Sequence, residues 1–181
     1  MKGNSSGLME VMCAAVEIKE KMKSLYKEAA GRCSDKVGSE TFRMLWETEE
    51  KHLDHLRAVY AELASENGKL DSCRFYEFKT LSRTEIMKQI GRERKLIAKA
   101  CLDDVAAVNS GMELENKSIE FFEERLRQAS NPVEREFLNR MISEERSHYI
   151  LLADVKFYYL DPEHWFMEKS RAELDGAGMV S

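Results

Sequence analysis

Two stretches of this sequence decide the fold: FRMLWETEEKH at residues 42–52 and LNRMISEERSH at residues 138–148. Each ends in a glutamate and a histidine three residues apart, Glu49 with His52 and Glu145 with His148, and the chain has no other such pair. A constant offset of 96 residues superimposes the two stretches without a gap. The same offset superimposes similar residues outside them: Tyr26 on Phe122, Val16 on Met112, Leu45 on Met141, and Glu40 on Glu136. The sequence therefore indicates an internal duplication.

Apolar side chains around both stretches recur every three or four residues, which is typical of helices that bury one face. The pattern predicts four helices, at about residues 8–31, 39–67, 92–130 and 132–159. The third has a potential break at 109–111, where Asn, Ser and Gly follow one another.

The connections between these helices differ in length. Ser34 or Asp35 could cap the second helix, and Pro132 suits the first position of the fourth. A long connection, about residues 69–90, separates the second helix from the third, and a short helix is expected near Ser82. Two helical hairpins joined by one long crossover make an all-α, antiparallel four-helix bundle of the ferritin-like kind.

The composition suits one helical domain better than a sheet protein. Of the 181 residues, 34% are charged and 43% hydrophobic, and only nine are Gly and two Pro, whereas sheets need many turns. We expect a single domain, with the bundle at about residues 8–160 and a C-terminal tail at 161–181.

The sequence predicts a cytoplasmic protein outside the membrane. The N-terminus leads into no apolar signal segment, and no stretch approaches the roughly 18 apolar residues of a membrane span. We expect four reduced thiols, because the cysteines form no C-x-x-C pair: they are Cys13, Cys33, Cys73 and Cys101.

The net charge of −5 gives no overall attraction to nucleic acid. Residues 79–99 run against this balance, with seven basic and two acidic side chains. We expect a solvated helix face there, or a contact with an acidic partner surface. Nucleic-acid binding is the lesser alternative.

The paired motifs have the spacing of metal ligands. Residues three apart lie on one face of a helix, so the Glu and the His of each motif can reach one ion together. Two such helices, packed face to face, bring two carboxylates and two imidazoles to one centre, a ligand set that suits Fe, Mn or Zn. The alternative is a buried polar network in which each Glu accepts a hydrogen bond from a His or a Tyr.

The chain resembles the rubrerythrin branch of the ferritin-like family over nearly its whole length. FRMLWETEEKH (42–52) and FLNRMISEERSH (137–148) resemble that family's F-x-x-L-A-x-x-E-x-x-H helices. GMELENKSIEFF (111–122) resembles its A-L-x-x-E helix, and YLDPEHWF (159–166) resembles its tail. We expect Trp165 and Phe166 of this tail to plug the end of the bundle or to pack on a partner subunit.

This resemblance implies a carboxylate-bridged di-iron centre that reduces peroxide or activates dioxygen. Its metal ligands would be Glu49, His52, Glu115, Glu145 and His148, with Glu49 and Glu145 bridging the ions. The rubredoxin domain of many rubrerythrins does not occur in this sequence, so we expect electrons from another protein, such as a rubredoxin-type donor. The family also implies a homodimer.

One position departs from the family pattern, because the offset of 96 places Glu115 on Lys19, where the family has its fourth carboxylate. A protonated lysine has no lone pair for a metal. Glu17 and Glu20 are poor substitutes, since they lie roughly 200° and 100° around the helix from that position.

Three carboxylates and one ammonium sum to −2, which one divalent ion neutralises. We therefore hypothesise that Lys19 replaces one metal charge and leaves a mononuclear or asymmetric site. The alternatives are a neutral Lys19 that acts as a ligand and a Lys19 that bends away to solvent. Tyr26 and Phe122 are expected to wall the site, with Tyr26 and Lys19 as candidates for a role beside the ligands. His55 is expected on the exposed surface.

Three functions fit these observations. The first is a rubrerythrin-like oxidoreductase that acts on peroxide or dioxygen through iron. The second is a non-enzymatic protein that binds or stores metal. The third is a metal-free interaction module, in which Lys19 forms a salt bridge with Glu49, Glu115 or Glu145.

Overall fold

The computed structural model describes residues 4–64 and 102–174 of the chain. These residues form five α-helices and no β-strand, which confirms the all-α prediction. The helices are α1 Asn4–Arg32, α2 Lys36–Ala64, α3 Leu102–Gln128, α4 Pro132–Leu160 and α5 Pro162–Leu174. The predicted helix near Ser82, the basic segment 79–99, Cys73 and Cys101 lie outside the described residues.

Two short turns join the long helices in pairs. In the first, Asp35 accepts a hydrogen bond from the backbone N–H of Gly38 at 2.9 Å and so caps α2. In the second, the side chain of Asn131 accepts from the N–H of Val133 at 2.9 Å, and Pro132 opens α4 as predicted. Because each turn is short, α1 with α2 and α3 with α4 form two antiparallel hairpins.

The first turn also contacts the other hairpin. The hydroxyl of Tyr159, near the end of α4, donates to Oδ2 of Asp35 at 3.1 Å. A Cβ atom added to Gly38 would lie 1.8 Å from the Tyr159 hydroxyl and 2.6 Å from Sγ of Cys33. Position 38 therefore leaves no room for a side chain.

The two hairpins pack on each other, α1 against α3 and α2 against α4, in a bundle-like arrangement. Two apolar clusters fill the interior. One surrounds Met22, Tyr26, Phe42, Leu152 and Trp165, and the other surrounds Met12, Leu56, Phe122 and Phe137. Along every long helix, the residues of one cluster are separated from those of the other by buried charged side chains. The interior thus has a polar layer between two apolar ones.

Helix α3 continues through residues 109–111, so the break predicted there is wrong. Gly111 has a packing role instead. A Cβ at this position would lie 3.0 Å from Cδ1 of Leu152 and 3.2 Å from Cε1 of Tyr26. Gly111 therefore lets α3 approach those two side chains closely.

The tail after residue 160 contains a helix, α5, that the sequence analysis did not predict. Trp165 and Phe166 are buried in this chain, and both meet the ring of Tyr158 edge to face, at 5.6 and 6.2 Å between centroids. The aromatic tail thus plugs one end of its own bundle. None of the helices in the described part of the chain combines the length and the apolar character that a membrane span needs.

Candidate metal centre

All four long helices contribute to the polar layer. The contributing residues are Lys19 from α1, Glu49 and His52 from α2, Glu115 from α3, and Glu145 and His148 from α4. Each is at most 5% exposed, and all six lie between the two apolar clusters. The structure therefore brings together both Glu-x-x-His motifs with Glu115 and Lys19.

Lys19 lies inside this layer. Its Nζ donates a hydrogen bond to Oε2 of Glu49 at 2.9 Å and forms an ion pair with Oε1 of Glu145 at 3.0 Å. Since the side chain is 0% exposed, the alternative that Lys19 bends away to solvent is wrong. Burial lowers the pKa of Lys19, but the carboxylates of Glu145 and Glu49 outweigh it and raise the pKa well above its usual value. The layer thus favours an ammonium over a neutral amine.

Glu49 spans the layer with its two oxygens. Oε2 faces Lys19, whereas Oε1 lies 3.0 Å from Nδ1 of His148. The same Nδ1 lies 3.5 Å from Oε1 of Glu115. Burial raises the pKa of Glu49, but Lys19 and His148 reverse the shift, and the pKa falls below its usual value. Glu49 is therefore ionised.

Glu115 is held by Tyr26, whose hydroxyl donates to Oε1 of Glu115. Burial and the Glu115 carboxylate raise the pKa of Tyr26 well above its usual value, so the hydroxyl keeps its proton and remains a donor. Among the described residues, Oε2 of Glu115 and Oε2 of Glu145 have no hydrogen-bond partner. Leaving buried oxygens unpaired costs about 1–3 kcal/mol each or more, which makes them candidates for a ligand.

These residues fit one metal ion. Glu49, Glu115, Glu145 and His148 can each offer a ligand atom such that all four atoms lie within 4.8 Å of one another. A second, overlapping group, Glu49, His52 and His148, also has ligand atoms within 4.8 Å of one another. Lys19 lies against Oε2 of Glu49 and Oε1 of Glu145, and an ammonium repels a cation.

The pKa values of the two motif histidines are shifted in opposite directions. Burial, and then the nearby Lys19 ammonium, lower the pKa of His52 to about 3, so His52 is neutral. Burial also lowers the pKa of His148, but Glu115 and Glu49 raise it well above its usual value. The rings stack at 5.9 Å between centroids, yet Lys19 lowers the pKa of one ring whereas Glu115 and Glu49 raise the pKa of the other.

Sequence reasoning missed Glu144. Its Oε2 lies 3.4 Å from Nδ1 of His52 and 3.9 Å from Nζ of Lys19. Burial raises the pKa of Glu144, although Lys19 opposes the shift. The offset of 96 gave no signal here, because it maps Glu144 onto Thr48. The one available sign was the doubled glutamate that ends in Glu145.

The other residues that the sequence analysis considered lie around the polar layer or at the surface. His55 is partly buried, so its expected exposure is wrong. Phe122 is fully buried in the cluster on one side of the layer, and Tyr26 in the cluster on the other. Glu17 is exposed and Glu20 pairs with Arg57 near the surface, so neither replaces the missing carboxylate.

Comparison of the chain with protein-family models, with curated proteins and with solved structures found no match. The resemblance to rubrerythrins therefore stays a prediction, and the function is argued from the site.

Proposed function

We propose that this chain is a ferritin-like protein of the rubrerythrin branch whose buried Glu/His layer holds one iron ion beside the Lys19 ammonium. The ligands would be Glu49, Glu115, Glu145 and His148. Carboxylate oxygens with one imidazole nitrogen suit iron, and also manganese or zinc.

The observation that carries this proposal is the position of Lys19. Glu49 has one oxygen on the ammonium at 2.9 Å and the other 3.0 Å from His148, so it bridges two halves of the layer. Glu145 also has one oxygen on the ammonium, at 3.0 Å, and its other oxygen has no hydrogen-bond partner among the described residues. The Lys19 ammonium thus occupies the side of the layer that one oxygen each of Glu49 and Glu145 faces. The side near His148 and Glu115 is left with unpaired ligand atoms.

The activity that we propose is the reduction of peroxide or the activation of dioxygen. Bound iron would supply a redox-active Lewis acid toward an oxygen substrate. Reduction of hydrogen peroxide to two waters consumes two electrons and two protons, so an external one-electron donor, such as a rubredoxin-type protein, is required. A homodimer is part of the same proposal.

The chain's own residues have separate tasks in this activity. Tyr26 holds Glu115 through its hydroxyl, which fixes the direction of that carboxylate. Lys19 holds Glu49 and Glu145 and keeps a second cation out. Phe122 and the apolar clusters on both sides exclude water from the layer, which strengthens every charge interaction within it.

The test is metal analysis of the anaerobically purified full chain after reconstitution with Fe(II). We expect one iron per chain in the wild type and two in Lys19→Glu, which restores the fourth carboxylate. Lys19→Met removes the charge without adding a ligand and should still bind one. The matched control, Glu20→Gln, changes a neighbouring acid outside the layer and should bind as the wild type does. Two tightly bound irons in the wild type, or no gain in Lys19→Glu, would contradict the proposal.

A second function has an observation of its own. The ion pairs of Lys19 with Glu49 and Glu145 already compensate buried charge without metal, as a metal-free interaction module requires. A wild type that binds no Fe(II) or Co(II), and whose fold does not respond to chelators, would favour this module. A chain that binds iron but does not turn over peroxide with reduced rubredoxin would favour metal storage instead.

A further inference from the structure

Glu144 lies at the edge of the polar layer. It precedes Glu145 on α4, and one residue turns a helix by about 100°, so its carboxylate reaches toward His52 on α2. Its side chain is 25% exposed, whereas the side chains of Lys19 and Glu145 are 0% exposed. Glu144 thus connects the buried layer with solvent.

Next to this edge, the structure contains two groups of potential metal ligands that share two residues. The inner group is Glu49, Glu115, Glu145 and His148, and the outer group is Glu49, His52 and His148. Within each group the ligand atoms lie within 4.8 Å of one another. Because Glu49 and His148 belong to both groups, an ion can pass from the outer to the inner group without leaving these two ligands.

We infer that Glu144 and His52 form an outer loading site for a divalent transition-metal ion, which moves from there through Glu49 and His148 to the inner group. This inference rests on the proposed function, because it takes the inner group as the final position of the ion. A carboxylate and an imidazole suit the same class of ion as the inner ligands do.

The number of carboxylates explains why the ion does not stop at the outer site. Nζ of Lys19 lies 3.9 Å from Oε2 of Glu144 and donates to Oε2 of Glu49, so a cation between Glu144 and His52 is repelled. The inner group offers three carboxylates, Glu49, Glu115 and Glu145, to set against the same ammonium. His52 is therefore a ligand during loading and not a ligand of the resident ion.

The experiment measures the rate of Co(II) uptake by the metal-free full chain, followed by the visible absorbance of bound Co(II) after rapid mixing. Glu144→Gln removes the outer charge and keeps the shape of the side chain. Glu136→Gln removes a charge from an exposed position on the same helix and is the matched control. We expect uptake by Glu144→Gln to slow by about tenfold at low ionic strength, with one Co(II) still bound at equilibrium. His52→Gln should slow uptake too, and Glu136→Gln should not.

Three results would overturn the inference while the proposed function stands. They are uptake by Glu144→Gln at the wild-type rate, equal slowing in Glu144→Gln and Glu136→Gln, and loss of equilibrium binding in Glu144→Gln as severe as that in Glu145→Gln. The last result would make Glu144 a resident ligand. A wild-type chain that binds no Co(II) would overturn the proposed function and this inference together.

Discussion

Lys19 is central to the charge balance of the polar layer. It is a fully buried cation held by two fully buried carboxylates, Glu49 and Glu145. Removing one member of such a group leaves the rest uncompensated, which costs more than the intact ion pairs contribute. The effect of substitution therefore depends on whether another cation is present.

Lys19→Met is expected to destabilise the metal-free protein by about 3–5 kcal/mol. The measurement is the free energy of unfolding in urea, with chelator and with saturating Co(II). Cobalt should recover part of the loss, since it neutralises the same carboxylates. Lys23→Met is the control: Lys23 is partly exposed and its pairs with Glu20 and Glu50 are near the surface, so we expect at most about 1 kcal/mol. Equal losses in the two variants would contradict the assigned role of Lys19.

Metal affinity is expected to fall as the pH is lowered from about 8 to about 6. Burial raises the pKa of Glu145 more than Lys19 lowers it, and Glu115 and Glu49 raise the pKa of His148. The metal-free chain therefore holds a proton on His148 more tightly than an ordinary imidazole does, and an ion must displace that proton. Calorimetry of Co(II) binding in two buffers of different ionisation enthalpy should report proton release. Binding without proton release, at an affinity independent of pH, would argue against it.

The sequence predicted single residues well where the duplication carried the information. The offset of 96 located all six members of the buried layer, Lys19 among them. The offset did not show whether the Lys19 side chain lies in the interior or bends to solvent, because a long side chain can reach either. It also did not find Glu144, whose contact with His52 depends on how α4 packs against α2.

At the scale of the elements, the turn between α1 and α2 is fixed by a close approach. Asp35 accepts from Gly38 and from Tyr159, so one carboxylate caps α2 and ties it to α4. Burial raises the pKa of the nearby Cys33 thiol to about 12, and Asp104 adds to the shift. This turn therefore connects α2 to α4, and its thiol is unreactive because the raised pKa disfavours the thiolate.

Gly38→Ala is expected to lower the free energy of unfolding by about 1–3 kcal/mol, as overpacking does. The new methyl group would lie 1.8 Å from the Tyr159 hydroxyl, and the tyrosine would have to move. Adding Tyr159→Phe should recover part of this loss, because it removes the clashing oxygen. Gly31→Ala is the control, since a Cβ there has nothing within 4 Å, and alanine in a helix should stabilise by about 0.5–1 kcal/mol. A loss in Gly31→Ala as large as in Gly38→Ala would contradict this account.

The lengths and caps of the long helices follow local rules that a sequence displays, and Pro132 and Asp35 were found in that way. The continuity of α3 through residues 109–111 was not found, because it depends on other helices. Gly111 marks where α3 meets Tyr26 and Leu152, and a sequence alone does not separate such a glycine from one that ends a helix.

At the scale of the whole molecule, both hairpins contribute to each of the two apolar clusters in the described residues, whereas α5 joins only one of them. It covers one end of the bundle with Trp165 and Phe166, which pack on Tyr158. From its aromatic residues, the tail was expected to plug the end of the bundle. Its helix was not predicted, because the segment is short and its apolar positions are few.

Trp165→Ala is expected to destabilise the protein by about 3–5 kcal/mol, the usual cost of emptying a buried aromatic site. Trp165 is 1% exposed, whereas Met167, two residues later, is 57% exposed. Met167→Ala is therefore the control, and we expect a change within about 0.5 kcal/mol. Thermal unfolding followed by circular dichroism measures both. A harmless Trp165→Ala would mean that α5 does not belong to the cooperative unit.

Because Lys19 lies in the polar layer, folding of the chain does not depend on binding of a metal ion. In a site built only of carboxylates, the negative charges repel one another, so the helices pack only after the site has bound its ion or taken up protons. Here a cation that belongs to the chain itself holds Glu49 and Glu145 together from the moment the helices meet. Scarcity of metal would then stop the chemistry without unfolding the protein. Under the proposed function, the chain would stay folded without metal and become active when an ion binds.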